Sequence, residues 1–127
     1  MVRPMNAGGP VRLRLSRQKG FSLAALSEAV NGREAVIVAR PGRWGNPFAI
    51  AAIAAETGLP SAQVQAEAVS RYGRWLAGQL DPALSPGPAP TEESVRAALR
   101  GRNLACWCAP GTPCHADILL ALANRAL

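Results

Sequence analysis

Val11, Leu13 and Leu15 alternate with Arg12, Arg14 and Ser16, and a period of two predicts a strand that is half-buried or lies at a sheet edge. Lys19-Gly20 turns the chain. Ser22 then stands where a cap is needed for a short helix bearing Leu23, Leu26 and Val30, with Gly32 as its stop. Ala35-Val36-Ile37-Val38-Ala39 is an unbroken apolar run rich in β-branched side chains, the pattern of a strand buried on both faces. The run gives way to a loop over Arg40 to Phe48 and to an alanine-rich helical piece that ends at Gly58.

From Ser61 the period lengthens. Val64, Ala68, Tyr72, Trp75, Leu76 and Leu80 fall on one side at helical spacing. Asp81 to Pro90 carries four prolines and predicts an exposed connection without regular structure. Thr91 followed by Glu92 and Glu93 opens a further helix, acidic residues suiting its positive end. Val95, Ala98 and Leu99 are its inner stripe, and Gly101 ends it. Leu104, Cys106 and Cys108 alternate with Ala105 and Trp107 as a short strand. After a Pro/Gly loop, Thr112 is the expected cap and Pro113 the first residue of a last helix that buries Ile118, Leu119, Leu122 and Leu127. Strands interleaved with helices predict an α/β layer with a small, partly parallel sheet of about three strands. The expected organisation is a loose tail over residues 1–10 and one domain over 11–127. A length of 127 residues suits a single domain.

Apolar types make up 49% and charged types 17% of the chain, enough to fill a core and too little charge for a disordered polyelectrolyte. No stretch of the sequence is long and apolar enough to span a bilayer, and the start lacks the apolar segment of a secretory leader. The expected location is the cytoplasm. The net charge is +6, with a single lysine beside thirteen arginines. A guanidinium-rich surface suits phosphate or carboxylate partners, and a GC-rich genome produces the same bias without any partner.

Two loops carry candidate chemistry. Arg40-Pro41-Gly42-Arg43-Trp44-Gly45-Asn46-Pro47-Phe48 follows an expected strand, where open α/β sheets bind ligands. As a binding loop, Arg40 and Arg43 would hold an anion, Trp44 would stack on a ring and Asn46 would give directional hydrogen bonds. As a plain turn, its Trp44 and Phe48 would only cover the core. The second loop holds all three cysteines and the sole histidine, Cys106, Cys108, Cys114 and His115, within ten residues. Clustered thiols in a cytosolic chain point to metal or reactive sulfur before disulfides. Three sulfurs and an imidazole complete a tetrahedral zinc set, and the three cysteines alone would suit an iron–sulfur cluster. Metal-free chemistry is the rival: Cys114 at a helix start with a lowered pKa, with His115 or Asp117 moving protons, acting on a nucleotide-like or small phosphorylated substrate. A purely structural role for the thiols is the third alternative.

The two loops, with Arg17-Gln18-Lys19-Gly20-Phe21 and Leu104 to Leu119, give the chain a resemblance to a small family of domains of unknown function found in bacteria and their phages. Its members carry R-x-K-G-[FW], R-P-x-[KR]-[WY]-G-N-P-F and L-A-C-W-C-x-P…C-H-A-D-[IV]-L segments, and the match spans most of residues 11–127. The resemblance carries over motif positions and no catalytic residues. Occurrence in phage genomes implies a place in nucleotide or nucleic-acid metabolism. Together these observations lead to the expectation of a Cys/His zinc site beside an Arg/Trp pocket for a nucleotide or nucleic-acid group. A basic module that simply coats nucleic acid is the other binding alternative.

Overall fold

The computed structural model describes residues 9–125, so most of the expected tail, and Leu127, lie outside the described residues. Three short strands form one sheet: β1 (Arg12–Arg14), β2 (Ala35–Ile37) and β3 (Asn103–Cys106). β3 lies between the other two and pairs with both in parallel, Leu13 opposite Ala105 and Val36 opposite Leu104. Five helices connect and cover the strands among the described residues: α1 (Leu23–Asn31), α2 (Ile50–Thr57), α3 (Ser61–Leu76), α4 (Glu92–Leu99) and α5 (His115–Asn124).

The alternation of side chains across the strands sorts the core into two layers. Leu13, Leu15, Ala39 and Ala105 face α1 and pack with Phe21, Leu23 and Leu26. Val38, Leu104 and Cys106 face the other way into the larger cluster with Tyr72, Val95, Leu99 and Leu119 of α3, α4 and α5. The helix signals work as their chemistry requires. Ser22 and Thr91 accept hydrogen bonds from the Ala25 and Ser94 amides, both at 3.1 Å, while Gly32 and Gly58 close α1 and α2 in the left-handed conformation. The proline-rich segment is tied down in part. It contains a 3-10 turn over Pro82–Leu84, and the Trp75 indole donates to the Gly87 carbonyl at 2.9 Å.

Two expectations are corrected. The apolar run 35–39 is an edge strand with Ile37 54% exposed, and the strand buried on both faces is β3, all four of its residues being buried. The run's composition reports its own hydrophobicity but not its place in the strand order. The last helix begins at His115 with Cys114 as its cap residue. Thr112 instead spends its hydroxyl on the Ala109 carbonyl at 2.6 Å, keeping Thr112 and Pro113 in the loop.

The start of β3 is fixed by a buried amide. Asn103, fully buried, donates to Ser27 Oγ and Asn31 Oδ1, both at 2.8 Å, and its Oδ1 accepts from Asn31 at 2.9 Å and from the Val11 amide at 3.0 Å. Ser27 passes its own proton to the Arg33 carbonyl. One side chain thus joins α1, the approach to β1 and the central strand, with every polar atom of the amide satisfied. Asn103→Ala strands several of these groups in a dry interior and is expected to cost about 2–3 kcal/mol. Urea unfolding should show a lower midpoint at unchanged slope; an unchanged midpoint would mean that water replaces the amide.

Candidate metal centre and cleft

All three strands are parallel, so the loops that leave their C-terminal ends share one edge of the sheet. Since β3 is central, the loop after it, Trp107–Pro113, lies between the loops after β1 and β2. Cys106 ends β3 with its side chain on the α3/α5 side, and Cys108 follows with its sulfur 3.6 Å from that of Cys106. The loop then returns to α5, where Cys114 is extended (φ −151°, ψ 139°) and His115 is already helical. That change of backbone conformation lets adjacent side chains face one point, and Cys114 Sγ lies 4.0 Å from His115 Nδ1. The ligand atoms of Cys106, Cys114 and His115 all fall within 4.8 Å of one another, and the three residues are buried. This cluster could hold a metal ion. Cys108 stands beside it, half-buried.

His115 is held in one tautomer. Its Nε2 lies 2.7 Å from the Val38 carbonyl. A carbonyl can only accept, so Nε2 carries a proton, and the other ring nitrogen, Nδ1, is turned toward the sulfurs. The Tyr72 ring meets the imidazole edge-on at 5.2 Å between centroids. The sulfurs share protons unequally. Cys114 hydrogen-bonds to Cys106 and lowers the Cys106 pKa to about 5, against the opposing effect of burial. The same bond and burial push Cys114 far up, and burial raises Cys108. The lowered pKa expected of Cys114 at the helix start is opposed here by its hydrogen bond to Cys106 and its burial, which act in the opposite direction.

The cluster opens onto a cleft of about 530 Å³, walled by Arg40, Asn46 and Phe48 on one side and by Trp107, Cys108 and Pro113 on the other. The two loops singled out in the sequence do meet here, but their residues divide differently from the expectation. Trp44 is buried and roofed by the Arg43 guanidinium at 4.5 Å, and its carbonyl accepts from the Tyr72 hydroxyl at 2.9 Å. Neither Trp44 nor Arg43 lines the cleft. Asn46 lines it, yet both ends of its amide serve the fold, donating to the Ala68 carbonyl at 3.1 Å and accepting from the Phe48 amide at 2.9 Å. Arg40 donates its Nε to the Asn46 carbonyl, which leaves its terminal nitrogens at the cleft. Gly45 is required here, since a Cβ at that position would sit 2.9 Å from Arg40 Cα. Asp117, expected as a proton carrier, is not among the grouped ligand residues and pairs with Arg12 at 2.9 Å.

Sequence reasoning missed three participants. Trp107, 43% exposed, is the exposed aromatic ring at the cleft, where Phe48 is buried, and the C-W-C alternation was its signal. Gln65 of α3 donates to the Pro113 carbonyl at 2.6 Å. Arg12 of β1 donates to the Thr112 carbonyl at 3.0 Å and the Ala109 carbonyl at 3.1 Å, as well as to Asp117. No local pattern reveals a pairing across 100 residues.

These bonds make Arg12 the brace of the cysteine loop, and its side chain is only 13% exposed. Arg12→Ala is expected to cost about 1–3 kcal/mol through its half-buried bonds to two loop carbonyls and to speed alkylation of Cys108. Asp117→Asn removes an ion pair whose carboxylate is 56% exposed and should cost under about 1 kcal/mol. Denaturant melts and thiol-labelling rates on both variants check this; equal effects would assign the brace to the ion pair.

Among the described residues, no helix is long and apolar enough to cross a membrane. No curated protein and no solved structure matches the chain. A family model, the domain of unknown function DUF4326, matches residues 23–125, a span that includes both loops and all but the first strand. The chain belongs to this family of domains of unknown function.

Proposed function

We propose that the protein is a zinc-binding domain whose metal centre forms the floor of a pocket for a nucleotide group. Cys106, Cys108, Cys114 and His115 Nδ1 are the ligand set. Bonds of about 2.3 Å to sulfur and 2.0 Å to nitrogen in a tetrahedron separate ligand atoms by about 3.5–3.8 Å. The Cys106–Cys108 spacing of 3.6 Å falls within that range, and the Cys114–His115 spacing of 4.0 Å lies just above it. The observation that carries the reading is the His115 Nε2–H bond to the Val38 carbonyl. A histidine ligand characteristically donates its second nitrogen to a carbonyl or carboxylate, which fixes the ring and aims the lone pair. An inert core histidine has no need to turn its second nitrogen toward the sulfurs of Cys106 and Cys114.

The nucleotide half of the reading rests on the cleft. Arg40 offers terminal guanidinium nitrogens for a phosphate, and Trp107 offers a ring face for a base. Arg40 keeps the role that the sequence suggested for it together with Arg43, and Trp107 takes the one suggested for Trp44. Gln65 and the loop carbonyls are the polar groups nearest a ligand's edge.

Protein purified without added metal should contain about one equivalent of zinc. Cys106→Ser, Cys114→Ser and His115→Gln should each leave it substoichiometric, and Cys108→Ser should do so as well if all four residues coordinate. Free zinc at 100 times its Kd should stabilise the fold by about 2.7 kcal/mol, lost on chelation. Zinc below about one tenth of an equivalent overturns the assignment, and a single fast-alkylating thiol in that protein would give the site to metal-free cysteine chemistry.

A further inference from the structure

The positive charge of the molecule is not spread evenly. Among the described residues, Arg12, Arg71, Arg74, Arg96, Arg102 and Arg125 are engaged in ion pairs. Arg100, after α4, forms no ion pair and donates to the Arg125 carbonyl at 3.4 Å. Arg14, Arg17, Lys19, Arg40 and Arg43 form none either, and these five lie at or beyond the C-terminal ends of β1 and β2. The strand order puts the cysteine loop between them. The basic segment after β1 therefore stands on one side of Trp107 and the basic loop after β2 on the other. With strands about 4.8 Å apart, the two flanks begin about 10 Å from each other. No carboxylate lines the cleft between them, and Asp117, the nearest by sequence, is neutralised by Arg12.

Two contacts tie this edge to the site. Arg17 lies over one face of the Trp107 ring at 4.7 Å, so the cation and the exposed ring form a single surface. On the other side Arg40 shares the cleft with Trp107. A single mononucleotide needs one cation and one ring face. Five unpaired cations flanking one exposed tryptophan exceed that need and match a run of phosphates with a base turned inward.

We propose that the pocket serves a nucleotide within a single-stranded nucleic acid, whose backbone crosses the C-terminal edge of the sheet from the Arg14–Lys19 segment to the Arg40–Arg43 loop, with one base stacked on Trp107. This rests on the nucleotide-pocket reading and extends its substrate class from free nucleotide to polymer. A duplex is the poorer fit, since its bases are already stacked and paired and cannot reach a concave site without being extruded. Stacking on one aromatic ring together with phosphate contacts is the general mode of single-strand recognition.

The test is equilibrium binding of the full-length, zinc-analysed protein to a mixed-sequence oligonucleotide of about twelve residues, as DNA and as RNA. Trp107 is the natural reporter, because Trp44 is buried and Trp75 is partly so. We expect binding that quenches tryptophan emission and weakens steeply between about 50 and 200 mM salt. Arg14→Gln with Lys19→Gln alters exposed, unpaired side chains and should lower the logarithmic salt slope by about 1.4. Trp107→Ala should weaken binding about tenfold, and Trp107→Phe should recover most of it. Absence of binding at 50 mM salt overturns the proposal. So does equal affinity for duplex of the same length. Equal binding of heparin, with no effect of Trp107→Ala, overturns it as well, leaving only a polyanion surface. Zinc content on the same samples keeps the metal reading separate: full zinc without binding removes the strand alone, and binding without zinc removes the metal alone.

Discussion

The hydrogen bond from His115 to the carbonyl of Val38 links the edge strand β2 to the first residue of the last helix, two elements far apart in sequence. It needs Val38 to extend just beyond the end of β2, where its amide still bonds to Ala105 at 2.9 Å while its carbonyl is free for the ring. It also needs α5 to begin at His115 and not two residues earlier. Had Thr112 capped the helix, Cys114 and His115 would both be helical, and their side chains would leave the axis about 100° apart. The extended Cys114 brings them to one point. The position of the helix start, the tautomer of the ring and the convergence of three ligand atoms are one constraint expressed at three levels.

Charge is arranged to leave that edge of the sheet positive. Glu67 is drawn below its usual range by its hydrogen bond to Arg71, and Glu56 and Glu92 are paired with arginines on the helical surfaces. Asp117 shares its partner Arg12 with the cysteine loop. Arg12 comes from β1, and its guanidinium spans two loop carbonyls. Arg12 therefore fixes the shape of the loop and cancels the charge of Asp117, both of which suit a site that takes an anion.

The sequence made the helices legible because their ends are written in local chemistry. Ser22, Gly32, Gly58 and Thr91 act at the positions their types imply, and the inner stripe of α3 is Val64, Ala68 and Tyr72. Strand order is not local, so the run 35–39 read as central and proved peripheral. The same limit governed the site. The Cys/His cluster was visible because four rare side chains fall within ten residues. The division of labour between two tryptophans was not, because burial of Trp44 depends on Tyr72 reaching its carbonyl from 28 residues away. Asn46 and Arg40 were read as free for a ligand, whereas the closed turn that presents them takes up the amide of one and the Nε of the other.

Cys108 decides what kind of chemistry the centre can support. If it coordinates, the tetrahedron is closed, and the metal serves to fix the loop that carries Trp107. If it does not, three buried ligands leave one position open toward the cleft, as catalytic zinc sites do. Hydrolysis at such a position ordinarily needs a neighbouring group to take and return a proton, and the cleft offers no carboxylate, with its only histidine committed to the cluster. The lining thus favours the closed set. Its remaining chemistry is one guanidinium, the two amides of Asn46 and Gln65 and one exposed ring above an apolar wall; on the proposed reading these would serve recognition, with the metal holding the surface in shape.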